Sequence, residues 1–149
     1  MKLIILSGTS GWRLWPLSNE SRSKQFLKLL SKEDGTRESM IQRVVRQIEE
    51  GNAVTRKDIY VVTTEAQADA VRRQVGQDVK NVSEPARRNT FPAVALACEF
   101  LKYKEGISPD ETVAVLPVDT YTANRFYELL NRLDEEVQGD EADIVLVGT

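Results

Sequence analysis

The chain has 149 residues, 41% of them hydrophobic and 29% charged, and these values are typical of one globular domain with a sizeable core. With 20 basic and 23 acidic residues, the net charge is -3, so we expect no nucleic acid or membrane partner. The absence of histidine excludes His-based triads and His-ligated zinc. The only cysteine, Cys98, lies in an apolar run and is expected to be a buried structural thiol.

Residues 1–6 are apolar, but the run is too short for a signal peptide or a membrane span. We therefore expect a cytoplasmic protein. A short apolar run that stops at a glycine-containing turn is typical of a strand buried on both faces of a parallel sheet. Residues 3–6 are accordingly the first predicted strand.

Strands and helices are predicted to alternate along the rest of the chain. The first helix is expected to have its N-cap at or near Ser39 and to end at Gly51, and Asn89 and Thr90 can cap a later helix. After the first strand, the predicted elements are helix 40–48, strand 59–63, helix 65–75, strand 79–82, helix 93–101, strand 112–116, helix 126–137 and strand 143–147.

This alternation indicates an α/β fold, a three-layer α/β/α sandwich with a mostly parallel, Rossmann-like sheet. Helix 93–101 is apolar nearly all round, so we expect it to be well buried. No helix follows strand 143–147, so we expect a domain that is incomplete at the C-terminus. The uncovered apolar strand should favour self-association into a homo-oligomer.

The first segment that points to chemistry follows the first strand, where residues 6–18 read Leu-Ser-Gly-Thr-Ser-Gly-Trp-Arg-Leu-Trp-Pro-Leu-Ser. In an open α/β sheet, the loop at the carboxyl end of a strand borders the ligand crevice. Small residues let backbone N–H groups approach phosphate oxygens, and Arg13 can add a permanently charged, forked donor. The spacing fits neither a dinucleotide-binding loop nor a P-loop.

Together with residues 23–27, Ser-Lys-Gln-Phe-Leu, this stretch resembles the signature of the sugar-1-phosphate nucleotidyltransferases, Gly-Gly-x-Gly-x-Arg-Leu-x-Pro-Leu-Ser followed by Pro-Lys-Gln-Phe-Leu. The form Arg-Leu-Trp-Pro-Leu-Ser is similar to the mannose-1-phosphate guanylyltransferase branch of that family. The resemblance implies that the loop after the first strand binds the nucleotide through Gly8, Thr9, Ser10 and Gly11. It also implies catalytic roles for Arg13 and Lys24, which would neutralise the phosphates undergoing exchange.

Residues 83–93, Ser-Glu-Pro-Ala-Arg-Arg-Asn-Thr-Phe-Pro-Ala, resemble a second family element, Glu-Pro-x-x-Arg-Asn-Thr-x-Pro-Ala. A strand-to-helix junction exposes backbone groups and side-chain amides suited to reading the edge of a base. The resemblance implies guanine recognition by Glu84, Pro85, Arg88, Asn89 and Thr90. Taken alone, the segment favours a structural role as a turn and a helix cap. Its occurrence with the first signature favours nucleotide binding.

The third segment, Val-Ala-Val-Leu-Pro-Val-Asp at residues 113–119, is an apolar strand that ends in a carboxylate. Asp119 resembles the family aspartate that binds magnesium and holds the α-phosphate for attack. A carboxylate is the hard oxygen ligand that Mg²⁺ requires, so Mg²⁺ is the expected cofactor.

By this resemblance, residues 1–149 are the N-terminal nucleotide-binding part of a nucleotidyltransferase domain. In the full-length enzyme, mannose 1-phosphate would attack the α-phosphate of GTP and yield GDP-mannose and pyrophosphate. The family's sugar-binding segments would lie beyond Thr149, so we expect the chain alone to lack transferase activity.

Two alternatives remain open. A related enzyme could use another nucleoside triphosphate or another sugar 1-phosphate. A homologue without turnover could bind a nucleotide or nucleotide sugar as a regulatory subunit. Thr9 and Trp12 depart from the signature and favour this second alternative, because a β-branched residue resists positive φ and an indole could crowd the triphosphate. The retained Arg13, Lys24 and Asp119 argue against it.

Overall fold

A parallel sheet forms the centre of the computed structural model, which describes residues 1–8, 14–19, 22–119, 121–139 and 142–148. Its described strands are β1 (Lys2–Leu6), β2 (Leu30–Ser31), β3 (Arg37–Glu38), β4 (Ile59–Thr64), β5 (Lys80–Glu84) and β6 (Val113–Pro117). The main sheet has the order β5-β4-β1-β6, and all its pairs are parallel. The short strands β2 and β3 pair as an antiparallel hairpin.

The strand order reverses between β1 and β6. The chain moves outward from β1 to β4 and β5, and then returns past β1 to form β6. Such a reversal opens a crevice outside the carboxyl ends of the two strands that flank it, where open α/β sheets bind their ligands. In the register of the sheet, Leu6 at the end of β1 pairs with Val62 on one side and Pro117 on the other. The crevice therefore lies where the segments after β1 and β6 begin.

Four α-helices in the described residues cover the sheet: α1 (Met40–Glu50), α2 (Ala68–Val75), α3 (Thr90–Glu99) and α4 (Asn124–Gln138). The predicted N-cap at Ser39 is confirmed, because its side chain accepts from the backbone N–H of Gln42 while the Gln42 side chain accepts from the backbone N–H of Ser39. A 3₁₀ turn, Lys24–Phe26, lies between β1 and the hairpin, and α3 continues into a π-helical turn, Phe100–Lys104. No helix in the described residues is long and apolar enough to cross a membrane.

Alternate residues of β1 face two apolar layers. Leu3 and Ile5 pack in the core that includes α1, α2 and α4, whereas Ile4 packs with α3 on the opposite face. All three side chains are fully buried. The predicted three-layer α/β sandwich is therefore confirmed.

The expectations for α3 and for its cysteine are wrong. Ala93 and Ala97 are buried and lie four residues apart, so the helix buries one narrow stripe. Phe91 is 81% exposed, and Cys98 is also exposed. A helix that packs against the sheet on one side only leaves its other sides exposed, even when apolar residues lie all around it.

The predicted strand at residues 143–147 is also not found. This stretch lies in extended or irregular backbone without ladder pairing among the described residues. Ile144 and Leu146 are 79% and 85% exposed. A strand forms only where its N–H and C=O groups meet a partner strand, so β-branched composition alone does not create one.

Candidate functional site

Lys24 and Asp119 meet at the carboxyl edge of the sheet. The ammonium Nζ of Lys24 lies 2.6 Å from Oδ2 of Asp119, and the two side chains are 21% and 36% exposed. The residues come from separate segments, since Lys24 begins the 3₁₀ turn and Asp119 follows β6. The sequence motifs assigned both to phosphate chemistry, and the fold places them in contact.

The end of β6 fixes the position of Asp119. The backbone N–H of Val118 donates to the carbonyl of Leu6 at 3.1 Å, which extends the pairing of β6 with β1 beyond Pro117. The Val118 side chain is fully buried. Asp119 is therefore the first residue after β6 whose side chain can face the crevice.

Gly8 and Glu84 form a second contact at the same edge. A Cβ built on Gly8 would lie 2.6 Å from Oε2 of Glu84, so the backbone of the loop passes directly against this carboxylate. Glu84 ends β5, and β4 lies between β5 and β1, so the loop after β1 must cross the end of β4. Burial raises the pKa of the Glu84 carboxyl, and the charge of Arg87 opposes this shift. The sequence motifs placed Glu84 at the edge of a base, whereas here it also borders the candidate phosphate loop.

The junction from Pro85 to Thr90 is exposed over its whole length. Asn89 has φ 68° and ψ −167°, a region that is nearly restricted to glycine. It occupies the N-cap position of α3, but its side chain makes no capping hydrogen bond. The capping role expected for Asn89 is therefore wrong, and its amide faces solvent at the rim of the sheet.

Five buried polar residues, linked partly by hydrogen bonds and partly by the chain itself, lie beneath the candidate site, and we call them the buried polar ring. Its members are Ser7, Ser23, Gln25, Thr63 and Gln67, each at most 1% exposed. The Gln25 amide donates to the Ser7 carbonyl at 2.7 Å. Thr63 donates its hydroxyl to Oε1 of Gln67 at 2.9 Å, and Nε2 of Gln67 donates to the Ser23 hydroxyl at 2.5 Å. The Thr63 hydroxyl lies 3.5 Å from the Ser7 carbonyl, so the ring joins the end of β4 to the segments around β1 and Lys24.

A third buried glutamine anchors the segment after Asp119. Gln47 of α1 is 1% exposed, and its amide donates to the carbonyl of Thr122 at 3.0 Å and to the side chain of Asn124 at 2.8 Å. Gln25, Gln47 and Gln67 are among the largest fully buried side chains of the described residues. Each of them holds one of the segments that border the crevice.

The chemistry of Asp119 suits a divalent cation. Its carboxylate is partly exposed and already faces a cationic group, the Lys24 ammonium. Within the described ranges, no group of three or more His, Cys, Asp or Glu side chains could hold a metal ion. A hard cation at Asp119 would therefore complete its coordination with ligand phosphates and water, as Mg²⁺ commonly does.

Four candidate residues, Thr9, Ser10, Gly11 and Arg13, lie outside the described residues. Their assignment to the triphosphate rests on the sequence. The described part of the first segment resumes at Leu14, whose carbonyl accepts from the backbone N–H of Leu17 at 2.8 Å and of Ser18 at 3.2 Å. The two ends of the loop, Gly8 and Leu14, are thus both placed.

Comparison with known proteins identifies the family of the chain. A family model described as nucleotidyl transferase matches residues 2–149. The chain belongs to the nucleotidyl transferase family. An Escherichia coli protein named mannose-1-phosphate guanylyltransferase is 36% identical over 122 residues, which cover 78% of this chain and 24% of that protein. The alginate biosynthesis protein AlgA of Pseudomonas fluorescens is 38% identical over 116 residues, which cover 78% of this chain and 23% of that protein.

A crystal structure from Thermus thermophilus, described as a mannose-1-phosphate geranyltransferase, matches with a TM-score of 0.73 and 28% identity. The match covers 92% of this chain and 38% of that one. The chain thus spans about a quarter of the length of the curated relatives it matches.

Sequence reasoning missed most of the buried polar ring. Ser23 stands where the family signature has proline, and Gln67 lies in an otherwise ordinary helical segment. The alternation Ser23-Lys24-Gln25, two uncharged polar residues around a lysine, was the available signal. Gln67 gave none, because only the fold brings it to Ser23.

Proposed function

We propose that this chain carries the nucleoside triphosphate site of a sugar-1-phosphate nucleotidyltransferase, with GTP as the nucleotide and mannose 1-phosphate as the acceptor. The contact between Lys24 and Asp119 carries the proposal. The ammonium of Lys24 and the carboxylate of Asp119 lie 2.6 Å apart at the point where the strand order reverses. This pairing supplies both charges that a transferring phosphate and its metal require.

The three charged side chains would have different roles. Lys24 would bind the oxygens of the triphosphate as a point charge on a flexible stem, and Arg13 would bind them through its forked guanidinium. Asp119 would hold Mg²⁺ in contact with the α-phosphate, where the metal supplies charge neutralisation. The attacking oxygen comes from the sugar phosphate, so no protein nucleophile is required.

The preference for GTP and mannose 1-phosphate is supported by the relatives. Several of them, including those from Escherichia coli and Sinorhizobium fredii, are named mannose-1-phosphate guanylyltransferase. The exposed junction from Pro85 to Thr90 supports the preference for GTP, because it offers backbone carbonyls and the Asn89 amide to the donor-rich edge of guanine.

Nucleotide binding is tested by calorimetric titration of the chain with GTP, ATP, CTP and UTP in the presence of Mg²⁺. We expect GTP to bind most tightly. Lys24→Met should weaken GTP binding about tenfold, because it removes a charge-assisted contact to phosphate. Lys28→Met is the matched control, because Lys28 is exposed and lies four residues further along the chain. Equal affinity for all four nucleotides, or an equal loss in both variants, would contradict the proposal.

Transfer itself is tested by pyrophosphate release from GTP and mannose 1-phosphate with the full-length protein. Arg13→Ala should lower turnover more than it weakens binding of mannose 1-phosphate, since its charge acts on the leaving pyrophosphate. An unchanged maximal rate with weaker sugar phosphate binding would assign Arg13 to the acceptor instead.

A further inference from the structure

The turn that carries Lys24 is held from both sides by buried amides. Gln67 donates to the Ser23 hydroxyl at 2.5 Å, and Gln25 donates to the Ser7 carbonyl at 2.7 Å. Ser23 and Gln25 are both buried, whereas the side chain of Lys24 between them is 21% exposed. Of these three side chains, the lysine is therefore the one that reaches the crevice.

The backbone of Ser23 has the geometry that a proline would impose. Its φ is −68° and its ψ is 160°, and a pyrrolidine ring confines φ to about −65°. A serine has no ring to restrict φ, so contacts can help to hold this conformation. The hydrogen bond from Gln67 supplies such a contact and ties the Ser23 side chain to the end of β4 through Thr63.

This arrangement has a consequence for the lysine. A Lys side chain loses a large rotamer entropy when its ammonium is fixed, so a backbone that is already placed lowers the cost of binding phosphate. The polar ring is fully buried, and buried polar networks hold their members in a unique geometry when each is satisfied. Removing one member should loosen the turn without unfolding the sheet.

We propose that Gln67 is a positioning residue for the phosphate-binding ammonium of Lys24, and that it acts through the hydroxyl of Ser23. This inference rests on the proposed function, because it concerns the same triphosphate site. Gln67 lies beneath the turn and is fully buried, so it touches no ligand itself. We therefore expect its effect on nucleotide binding to pass through Lys24.

A double-mutant cycle on the 149-residue chain tests this dependence. The dissociation constant for GTP with Mg²⁺ is measured by calorimetry for the unchanged chain, Gln67→Leu, Lys24→Met and the double variant. We expect Gln67→Leu to weaken GTP binding about fivefold when Lys24 is present and less than about twofold when position 24 is methionine. A loss that merely reflects lower stability would be the same in both backgrounds.

Gln74→Leu is the matched control. Gln74 lies in α2, the helix that begins directly after Gln67, and its amide donates to the carbonyl of Phe26 at 2.9 Å, so it contacts the same turn at its other end. We expect its effect on GTP affinity to be independent of Lys24. If Gln67→Leu does not fold, Ser23→Ala removes the same hydrogen bond with a smaller change of volume, and the same coupling is expected.

Each outcome separates the two proposals. Equal losses for Gln67→Leu in both backgrounds, or equal coupling of Gln74 to Lys24, would overturn the role of Gln67 and leave the nucleotide site intact. If Lys24→Met does not change GTP affinity, or if the unchanged chain does not bind GTP, the proposed site is itself wrong and the role of Gln67 fails with it.

Discussion

The carboxylate of Glu84 lies where a side chain at position 8 would begin, because a Cβ added to Gly8 would lie 2.6 Å from its Oε2. Gly8 is thus required by a close approach between the loop after β1 and the last residue of β5. The two residues were assigned to nucleotide binding from separate sequence segments, and this contact joins those segments in space.

Gly8→Ala should lower the free energy of unfolding by about 1–2 kcal/mol, because the added methyl displaces a buried carboxylate. The cost stays moderate since the displaced atom ends a flexible side chain. In a Glu84→Ala background, the same substitution should cost much less, and Gly148→Ala is the control because a Cβ there meets open space. Chemical denaturation of these variants measures the effect. Equal costs with and without the Glu84 side chain would show that another contact limits position 8.

The pH dependence of stability should reveal the burial of Glu84. Burial raises the pKa of this carboxyl in the folded state, so the folded chain binds its proton more tightly than the unfolded chain. Stability contributed by the protonated form is fully present below the unfolded pKa and is lost as pH rises through the folded pKa. Glu84→Gln should therefore stabilise the chain at neutral pH, and this gain should shrink as the pH is lowered.

Asp34→Asn provides a control of opposite sign. Hydrogen bonds from the side chain and the backbone N–H of Thr36 lower the pKa of Asp34. Its contribution is present above the unfolded pKa and is lost as pH falls through the folded pKa. Asp34→Asn should destabilise at neutral pH and have less effect in acid. Urea denaturation at several pH values compares the two variants, and parallel profiles would contradict both assignments.

Asn89→Gly should raise the stability of the chain and weaken GTP binding. A φ of 68° with ψ of −167° costs a non-glycine residue on the order of 1–3 kcal/mol, and glycine removes this cost. Part of the gain is offset, because glycine has more conformational freedom in the unfolded chain. We expect a net gain of about 1 kcal/mol together with weaker GTP binding, since the exposed amide is lost. Asn52→Gly is the control, because Asn52 has φ 51°, in the left-handed region that asparagine tolerates, and should gain less. Greater stability with unchanged affinity would remove Asn89 from the proposed site.

Periodicity and motif order were sufficient to predict the sandwich, because the buried strands β1 and β4 read as short apolar runs and α1 as an amphipathic stripe. Periodicity and motif order failed where the burial of an element depends on which other elements pack against it. Residues 143–147 have strand composition but no partner among the described strands, and α3 has an apolar circumference but one buried stripe.

In the candidate site too, some features could be predicted from the sequence and others could not. The motifs identified Lys24 and Asp119 individually, but no local pattern indicates that they meet at the carboxyl edge of the sheet. Gln67 was missed because its importance comes from a hydrogen bond to Ser23, a residue distant in sequence. The local sequence indicates the charged residues proposed to face a ligand, whereas the buried groups beneath them become evident only in the fold.

Asp119 should govern the metal dependence of nucleotide binding. Asp119→Asn keeps the shape of the side chain but removes the charge that attracts a divalent cation. We expect Mn²⁺, used as a spectroscopic substitute for Mg²⁺, to tighten GTP binding by the unchanged chain and to have much less effect on the variant. Affinity for GTP without metal should change little or rise, because Lys24 would no longer be held by a carboxylate 2.6 Å away.

Asp110→Asn is the matched control for Asp119→Asn, since Asp110 precedes β6 as Asp119 follows it and is exposed at the opposite end of the strand. Titration of GTP with and without Mn²⁺, together with electron paramagnetic resonance of bound Mn²⁺, measures both the affinity and the metal site. The control should keep the full tightening by Mn²⁺, because its carboxylate lies away from the crevice. Retention of the full metal dependence in Asp119→Asn, or its equal loss in Asp110→Asn, would place the cation elsewhere.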